Sequence, residues 1–167
     1  MNIRSNQPFW LVKNALPESY PSPDKSYSTE ILIVGAGITG AVIAYALLDA
    51  GYKQIIMVDK RDVAHGSTSA STAMLQYEID VPLYKLIEQR GLTPAVSSYK
   101  ACEKAIDTLQ NISRKIKSTS PFQQKQSVYF STTRQGIRML KKEYQSRLAH
   151  GFDVRWVNEE ELKSWGL

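Results

Sequence analysis

Two unbroken apolar runs, Ile31-Leu32-Ile33-Val34 and Ile55-Ile56-Met57-Val58, flank a segment patterned as a helix. Short runs of aliphatic residues read as strands. Between them, Ala41, Val42, Ala44, Tyr45, Leu47 and Leu48 make the stretch from Ile38 to Ala50 apolar nearly all round. That is the pattern of a helix covered by protein on both sides. Gly51 stands where a helix C-cap belongs.

The chain after residue 80 is patterned mostly as helix. Residues 82–90 read as a short helix, with Pro82 in its first turn and Gly91 as its C-cap. Val96, Tyr99, Cys102, Ile106, Leu109, Ile112 and Ile116 then recur every three to four residues, giving one apolar stripe on a longer helix. Ser127 to Thr132 is β-branched and aromatic and predicts a strand. A helix from about 134 to 150 follows, with Ile137, Leu140, Tyr144 and Leu148 on one side. Asp153 to Val157 predicts another strand. Asn158, with Glu161 three positions later, predicts a capped helix start. Residues 1–29 are broken by Pro8, Pro17, Pro21 and Pro23, which exclude a long helix. Phe9, Trp10, Leu11 and Tyr20 are apolar enough to anchor this arm across a folded surface.

Between the first strand and its helix lies Gly35-Ala36-Gly37-Ile38-Thr39-Gly40. Gly35 permits a sharp turn out of the strand. Gly37 leaves room for a pyrophosphate to approach the backbone, and Gly40 lets the helix lie close on the strands. The N–H groups that open the helix have no intrahelical partners, so with the helix dipole they suit an anion. Asp59 ends the second strand, near the spacing of about 20 residues at which an acid accepts from ribose hydroxyls.

Alone, such a glycine turn is weak evidence and serves equally as a structural turn. Here a β-branched strand precedes it. Ala44 follows Gly40 by one helical turn, Gly51 closes the helix, and an acid ends the second strand. These four conditions favour a nucleotide site.

The loop Ser67-Thr68-Ser69-Ala70-Ser71-Thr72-Ala73 follows that acid directly. It reads either as a plain connection or as a second phosphate-contacting loop. Its short hydroxyls could donate to phosphate, and Arg61 could pair with the nucleotide's charge. The apolar Ala73-Met74-Leu75 predicts that the loop turns inward, which favours the second reading.

Composition narrows the class. At 167 residues the chain can bury an ordinary core as one domain. No apolar run approaches the roughly 20 residues that span a membrane. The start of the chain lacks a signal-peptide core, and a cytoplasmic location is expected. One cysteine, Cys102, excludes an internal disulfide and a multi-thiolate metal site. In a helical stripe it reads as a small apolar residue. His65 and His150 lack metal-ligand spacing. The net charge of +5 is spread along helices among acids, without the basic–aromatic interleaving of a nucleic-acid groove.

With Gly35-x-Gly37-x-x-Gly40, Ala44, Gly51 and the Gly66 to Leu75 loop in place, the chain resembles the amino-terminal part of the D-amino acid oxidase superfamily. This group of flavin-dependent oxidoreductases includes glycine oxidase, sarcosine oxidase and bacterial amino-acid dehydrogenases. The later order of strand, helix, Gly151 and Glu160-Glu161-Leu162 is similar to the family's, as is the arm with Pro8-Phe9-Trp10 and Tyr20-Pro21.

The resemblance implies an α/β fold: an FAD/NAD(P)-binding Rossmann-like βαβ unit, then helices and the start of a mixed α+β substrate domain. It implies an arm over 1–29, an FAD-binding portion over 30–95 and the first part of a substrate domain over 96–167. By the same resemblance Gly35, Gly37, Ile38, Thr39 and Gly40 hold the FAD pyrophosphate. Asp59 takes the adenosine ribose, with Lys60 and Arg61 beside it. Ser67 and Thr68 contact phosphate or ribitol, and Ala73 and Met74 approach the flavin. The implied reaction is hydride transfer to flavin from the α-carbon of an amine or amino acid.

Two positions depart from the family pattern. Asp59 stands where glutamate is commoner, and Ala73 where glycine is usual. Family members are about twice this length or more, so the expectation is an N-terminal portion lacking the later FAD motif and the substrate-carboxylate residues. No catalytic acid–base pair can be nominated. An NAD(P)-dependent dehydrogenase, with Lys60 and Arg61 near a 2′-phosphate, stays open. So does a non-catalytic nucleotide-binding or assembly module that self-associates or is completed by a partner chain.

Overall fold

The computed structural model describes residues 7–14 and 18–166. Met1 to Asn6, Ala15 to Pro17 and Leu167 lie outside the described residues, and with them those parts of the arm and of the chain end.

The chain forms two compact units, Met1–Met74 and Leu75–Leu167. The expected boundary at 95/96 falls inside one continuous helix, α4 (Leu92–Lys115).

The first unit contains α1 (Phe9–Asn14), β1 (Ile31–Val34), α2 (Ile38–Asp49), β2 (Ile55–Val58) and a 3₁₀ turn over Ser67–Ala70. The two strands are parallel, with Ile31 opposite Ile55 and Val34 opposite Val58. Parallel pairing needs a crossover, and α2 supplies it. Side chains alternate across a strand, so Ile31, Ile33, Ile55 and Met57 share one face. A Cβ added at Gly40 would stand 3.3 Å from Met57 Sδ, which identifies this as the face under α2. Leu32, Val34, Ile56 and Val58 form the other face, and Leu32 and Val34 are 58% and 80% exposed. Ile56 and Val58 on the same face are half-buried. Helix α2 has one covered side, with Ile38, Ile43 and Leu48 exposed. Among the described residues the sheet has two strands, too few to wrap the helix or cover the second face.

The second unit contains α3 (Leu83–Arg90), α4, α5 (Arg134–Ala149) and α6 (Glu159–Ser164). Its core is Leu83, Ala95, Tyr99 and Phe152, with Tyr77, Leu86, Ile87, Val96 and Val154 packed against them. Phe152 stacks on Tyr77 at 5.6 Å and meets Tyr99 edge-on at 5.8 Å. The buried Tyr99 hydroxyl donates to the Val81 carbonyl at 2.8 Å. Burial, and then the charge of Glu143, push its pKa up to about 12.

The inner face of α5 corrects the sequence reading. Ile137 and Leu148, expected in an apolar stripe, are exposed, while Glu143 and Arg147 are buried. Glu143 accepts the Leu83 and Tyr84 N–H groups at 3.0 and 3.1 Å. Those amides open α3, whose N-cap is Pro82 with no side-chain cap of its own. Arg147 Nε donates to Glu143 at 2.6 Å, and its NH1 donates to Glu78 and Tyr77 at 3.0 and 3.2 Å. Burial favours loss of the Arg147 proton. The hydrogen bond and charge of Glu143 outweigh it and raise the pKa above the ordinary arginine value. The charges are buried because each has a partner and α3 needs a cap.

Two expected strands do not form. Residues 121–131 and 152–157 have no regular secondary structure. Val128, Tyr129 and Phe130 are 39%, 63% and 63% exposed. Strand propensity reports fit to a neighbouring strand, and among the described residues none lies alongside. The capped start of α6 does form, with Asn158 Oδ1 accepting the Glu161 N–H at 2.9 Å.

Candidate functional site

In the first unit, the end of each strand, the start of α2 and the Ser/Thr loop converge. The Gly35 N–H donates to the Val58 carbonyl at 2.7 Å, carrying the parallel pairing into the turn. Gly35 has φ +115°, a conformation that a side chain would strain. A Cβ at Gly40 would overlap the Gly35 carbonyl oxygen, so the helix approaches the turn as closely as glycine allows.

Asp59 ties this turn down. Its Oδ2 accepts the Ala36 N–H at 2.8 Å and its Oδ1 accepts the Arg61 N–H at 2.9 Å. The Ala36 amide first, and then the Arg61 amide, hold its carboxyl below the ordinary aspartate range. Turn and acid thus form one unit before any ligand is added.

The Ser/Thr loop closes on the same place. Thr68 Oγ1 accepts the Ile38 N–H, the first of α2, at 3.0 Å. Helix α2 has no acid in its first turn, and its N-cap, Gly37, offers no side chain. The positive end of the helix dipole is therefore met by a neutral hydroxyl. A Cβ on Gly37 would stand 2.9 Å from that hydroxyl. The loop is further fixed by Ser69, whose buried hydroxyl donates to the Gly66 carbonyl at 2.9 Å, and by Ala64, whose N–H donates to Ala36 at 2.9 Å. Arg61 lies over Gly66, its NH2 being 3.3 Å from where a Cβ would be. Ala64 and Ala73 bracket the loop with φ +63° and +57°. A non-glycine residue in this region costs about 1–2 kcal/mol. That cost is the physical reason glycine would suit position 73.

Of the expected residues, Gly35, Gly37, Ile38, Gly40, Asp59, Arg61 and Thr68 meet around the helix start. Thr39 lies in the first turn of α2. Lys60 and Ser67 are exposed beside this group. Ala73 and Met74 stand apart, and Met74 and Leu75 are 76% and 51% exposed, so that segment does not turn inward as expected. Met74 is the last residue of the first unit. The backbone groups of Ala36 and Ala64 and the side chain of Ser69 escaped sequence reading. Only Ser69 left a signal, a hydroxyl three positions after Gly66 at the spacing of a local side-chain turn.

The profile of the family described as FAD dependent oxidoreductase matches residues 30–165, spanning this site and nearly all of the second unit. The chain belongs to the FAD dependent oxidoreductase family. A curated relative carries the name Rieske 2Fe-2S iron-sulfur protein YhfW, from Bacillus subtilis (strain 168). It is 30% identical over 104 residues, a match spanning 62% of this chain and 20% of that protein. No solved structure matches significantly. Among the described residues of this oxidoreductase-family chain, no helix is long and apolar enough to cross a membrane, and no cluster of His, Cys, Asp and Glu could hold a metal ion.

The residues present fit the family's cofactor. The helix start carries no acid, glycine backbone lies under it, and a hydroxyl on the adjacent loop stands at hydrogen-bond distance from its first amide.

Proposed function

We propose that this chain is the FAD-binding portion of an oxidoreductase that oxidises the C–N bond of an amine or amino acid. The observation that carries this reading is the convergence of Asp59 and Thr68 on Ala36 and Ile38, the amides on either side of Gly37. It supports a Rossmann-like site in which Gly35, Gly37, Ile38, Thr39 and Gly40 hold the pyrophosphate. Asp59, kept ionised by the Ala36 and Arg61 amides, presents its remaining lone pairs to the ribose. Lys60 and Arg61 add positive charge beside it, and Ser67 and Thr68 donate to phosphate oxygens. Once bound, the flavin supplies the hydride acceptor that no side chain can provide. The family match favours flavin over nicotinamide.

The relative's name adds an iron–sulfur centre to that protein. A Rieske centre needs two cysteines and two histidines. This chain has one cysteine, so such a cluster is not held by these residues.

A flavin spectrum of the purified chain after incubation with FAD tests the reading. Protein-bound absorbance with a shifted envelope, lost when the Gly37 turn is altered, is expected. Failure to retain FAD, alone or with added complementary polypeptide, would refute it.

The exposed face of β1 favours a second reading, a nucleotide-binding module completed by a partner chain. Leu32 and Val34 present aliphatic surface to solvent where a parallel sheet is ordinarily covered.

A further inference from the structure

The α1 arm makes one long-range polar contact whose position singles it out. The Trp10 indole Nε1–H donates to the Ser71 carbonyl at 2.8 Å, across 61 residues of chain. Helix α1 packs on the 3₁₀ turn that Ser71 closes. The Ser71 N–H in turn donates to the Thr68 carbonyl at 3.4 Å, and the Thr68 hydroxyl accepts the first amide of α2. A continuous series of contacts therefore runs from the arm to the helix start: Trp10, Ser71, Thr68, Ile38.

Within the loop, ties hold the two ends. Ala64 is bonded to Ala36 at one end, and Trp10 grips Ser71 at the other. Beyond Ser71 the backbone passes through the left-handed Ala73. The stretch between the ties carries Ser67, exposed, and Thr68, which faces the glycine turn. Trp10 is half-buried and its ring meets Phe9 edge-on at 4.9 Å, while Phe9 is 63% exposed. A large aromatic pair held at the surface, with the inner ring spending its one donor on a loop carbonyl, does little for the core of the first unit. It fixes where the loop lies.

We propose that Trp10 is a positioning residue of the cofactor site, holding the Ser71 carbonyl so that the Thr68 hydroxyl reaches the start of α2. This rests on the FAD reading for its functional consequence but not for its geometry. The arm is then part of the site through its bond to Ser71.

The test uses the whole chain, with W10F to delete the indole donor while keeping a ring, and T68V to delete the hydroxyl at nearly constant shape. Without ligand, amide hydrogen exchange at Ile38 is followed by NMR, with the Tyr99 amide of the second unit as the fold control. W10F speeds exchange at Ile38 and leaves Tyr99 unchanged. Unchanged exchange at Ile38 overturns the tie, whatever the ligand result. FAD affinity is then measured for wild type, both single variants and the double variant. Loss of one neutral hydrogen bond predicts about fivefold weaker binding for W10F. In the T68V background the same substitution has no further effect, because the two residues act in series. Equal affinity of W10F and wild type, or additive losses in the double variant, overturns the functional role. A wild type that binds no FAD refutes the proposed function, and with it that functional role, while the Ile38 exchange still decides the tie itself.

Discussion

Asp59 Oδ2 accepts the Ala36 N–H at 2.8 Å, so the acid that ends β2 fastens the turn that leaves β1. A residue read from sequence as a ligand for ribose is also a brace for the loop that would hold the pyrophosphate. An ionised carboxylate has lone pairs for both tasks.

The brace is sensitive to acid. Its two amide bonds lower the Asp59 pKa in the folded chain. Its contribution is complete above the unfolded aspartate value of about 3.9 and is lost as pH falls through the lower folded value. NMR protection of the Ala36 amide should therefore decline only below about pH 4. In D59N it should be weaker at neutral pH and flat across the same range. An identical profile in both proteins would show that Asp59 is not the acceptor that matters.

The glycines differ in what crowds them. At Gly40 the neighbour is the Gly35 carbonyl, which is backbone, so G40A should cost about 1–3 kcal/mol in urea unfolding of the first unit. At Gly37 the neighbour is the Thr68 hydroxyl, a side chain that can be removed. G37A should destabilise less, and adding T68A should recover most of that loss without restoring FAD binding. Equal costs at the two positions would contradict this.

Glu143 caps α3 from α5 and neutralises Arg147. E143A strips the Leu83 and Tyr84 amides of their acceptor and leaves Arg147 with Glu78 and the Tyr77 hydroxyl. Removing one partner of a buried ion pair costs about 3–5 kcal/mol. Denaturant unfolding of the second unit should show a loss of that size. A change under about 1 kcal/mol, the size of an exposed pair, would mean that the site is open to water.

The aliphatic sheet face predicts association. V34K places a charge on a side chain that is 80% exposed, so the unfolding midpoint should barely move. Light scattering should nevertheless report a lower mass for V34K than for wild type. A monomeric wild type would remove the reason for invoking a partner surface there.

Local order was legible in the sequence because it is written within one or two turns of chain. The glycine turn, α2 with Gly51 after it, α3 ending at Gly91, and Asn158 capping α6 all follow from residues within a few positions of one another. The strands over Ser127 to Thr132 and Asp153 to Val157 were misread for the complementary reason. A strand is completed by its neighbour, and propensity names the candidate but not the partner.

By itself the sequence determined that a parallel βαβ unit opens on a glycine turn facing an acid, and that a hydroxyl-rich loop follows. Apolar periodicity and the conformational demands of glycine settle those features locally. Only the tertiary structure decided that Thr68 meets Ile38 across 30 residues, that Trp10 grips Ser71 across 61, and that α5 turns Glu143 and Arg147 inward. Each of these depends on a backbone donor or acceptor left over when another element folds. Which polar side chain satisfies it is set by proximity in space, and hydrophobic pattern carries no record of that.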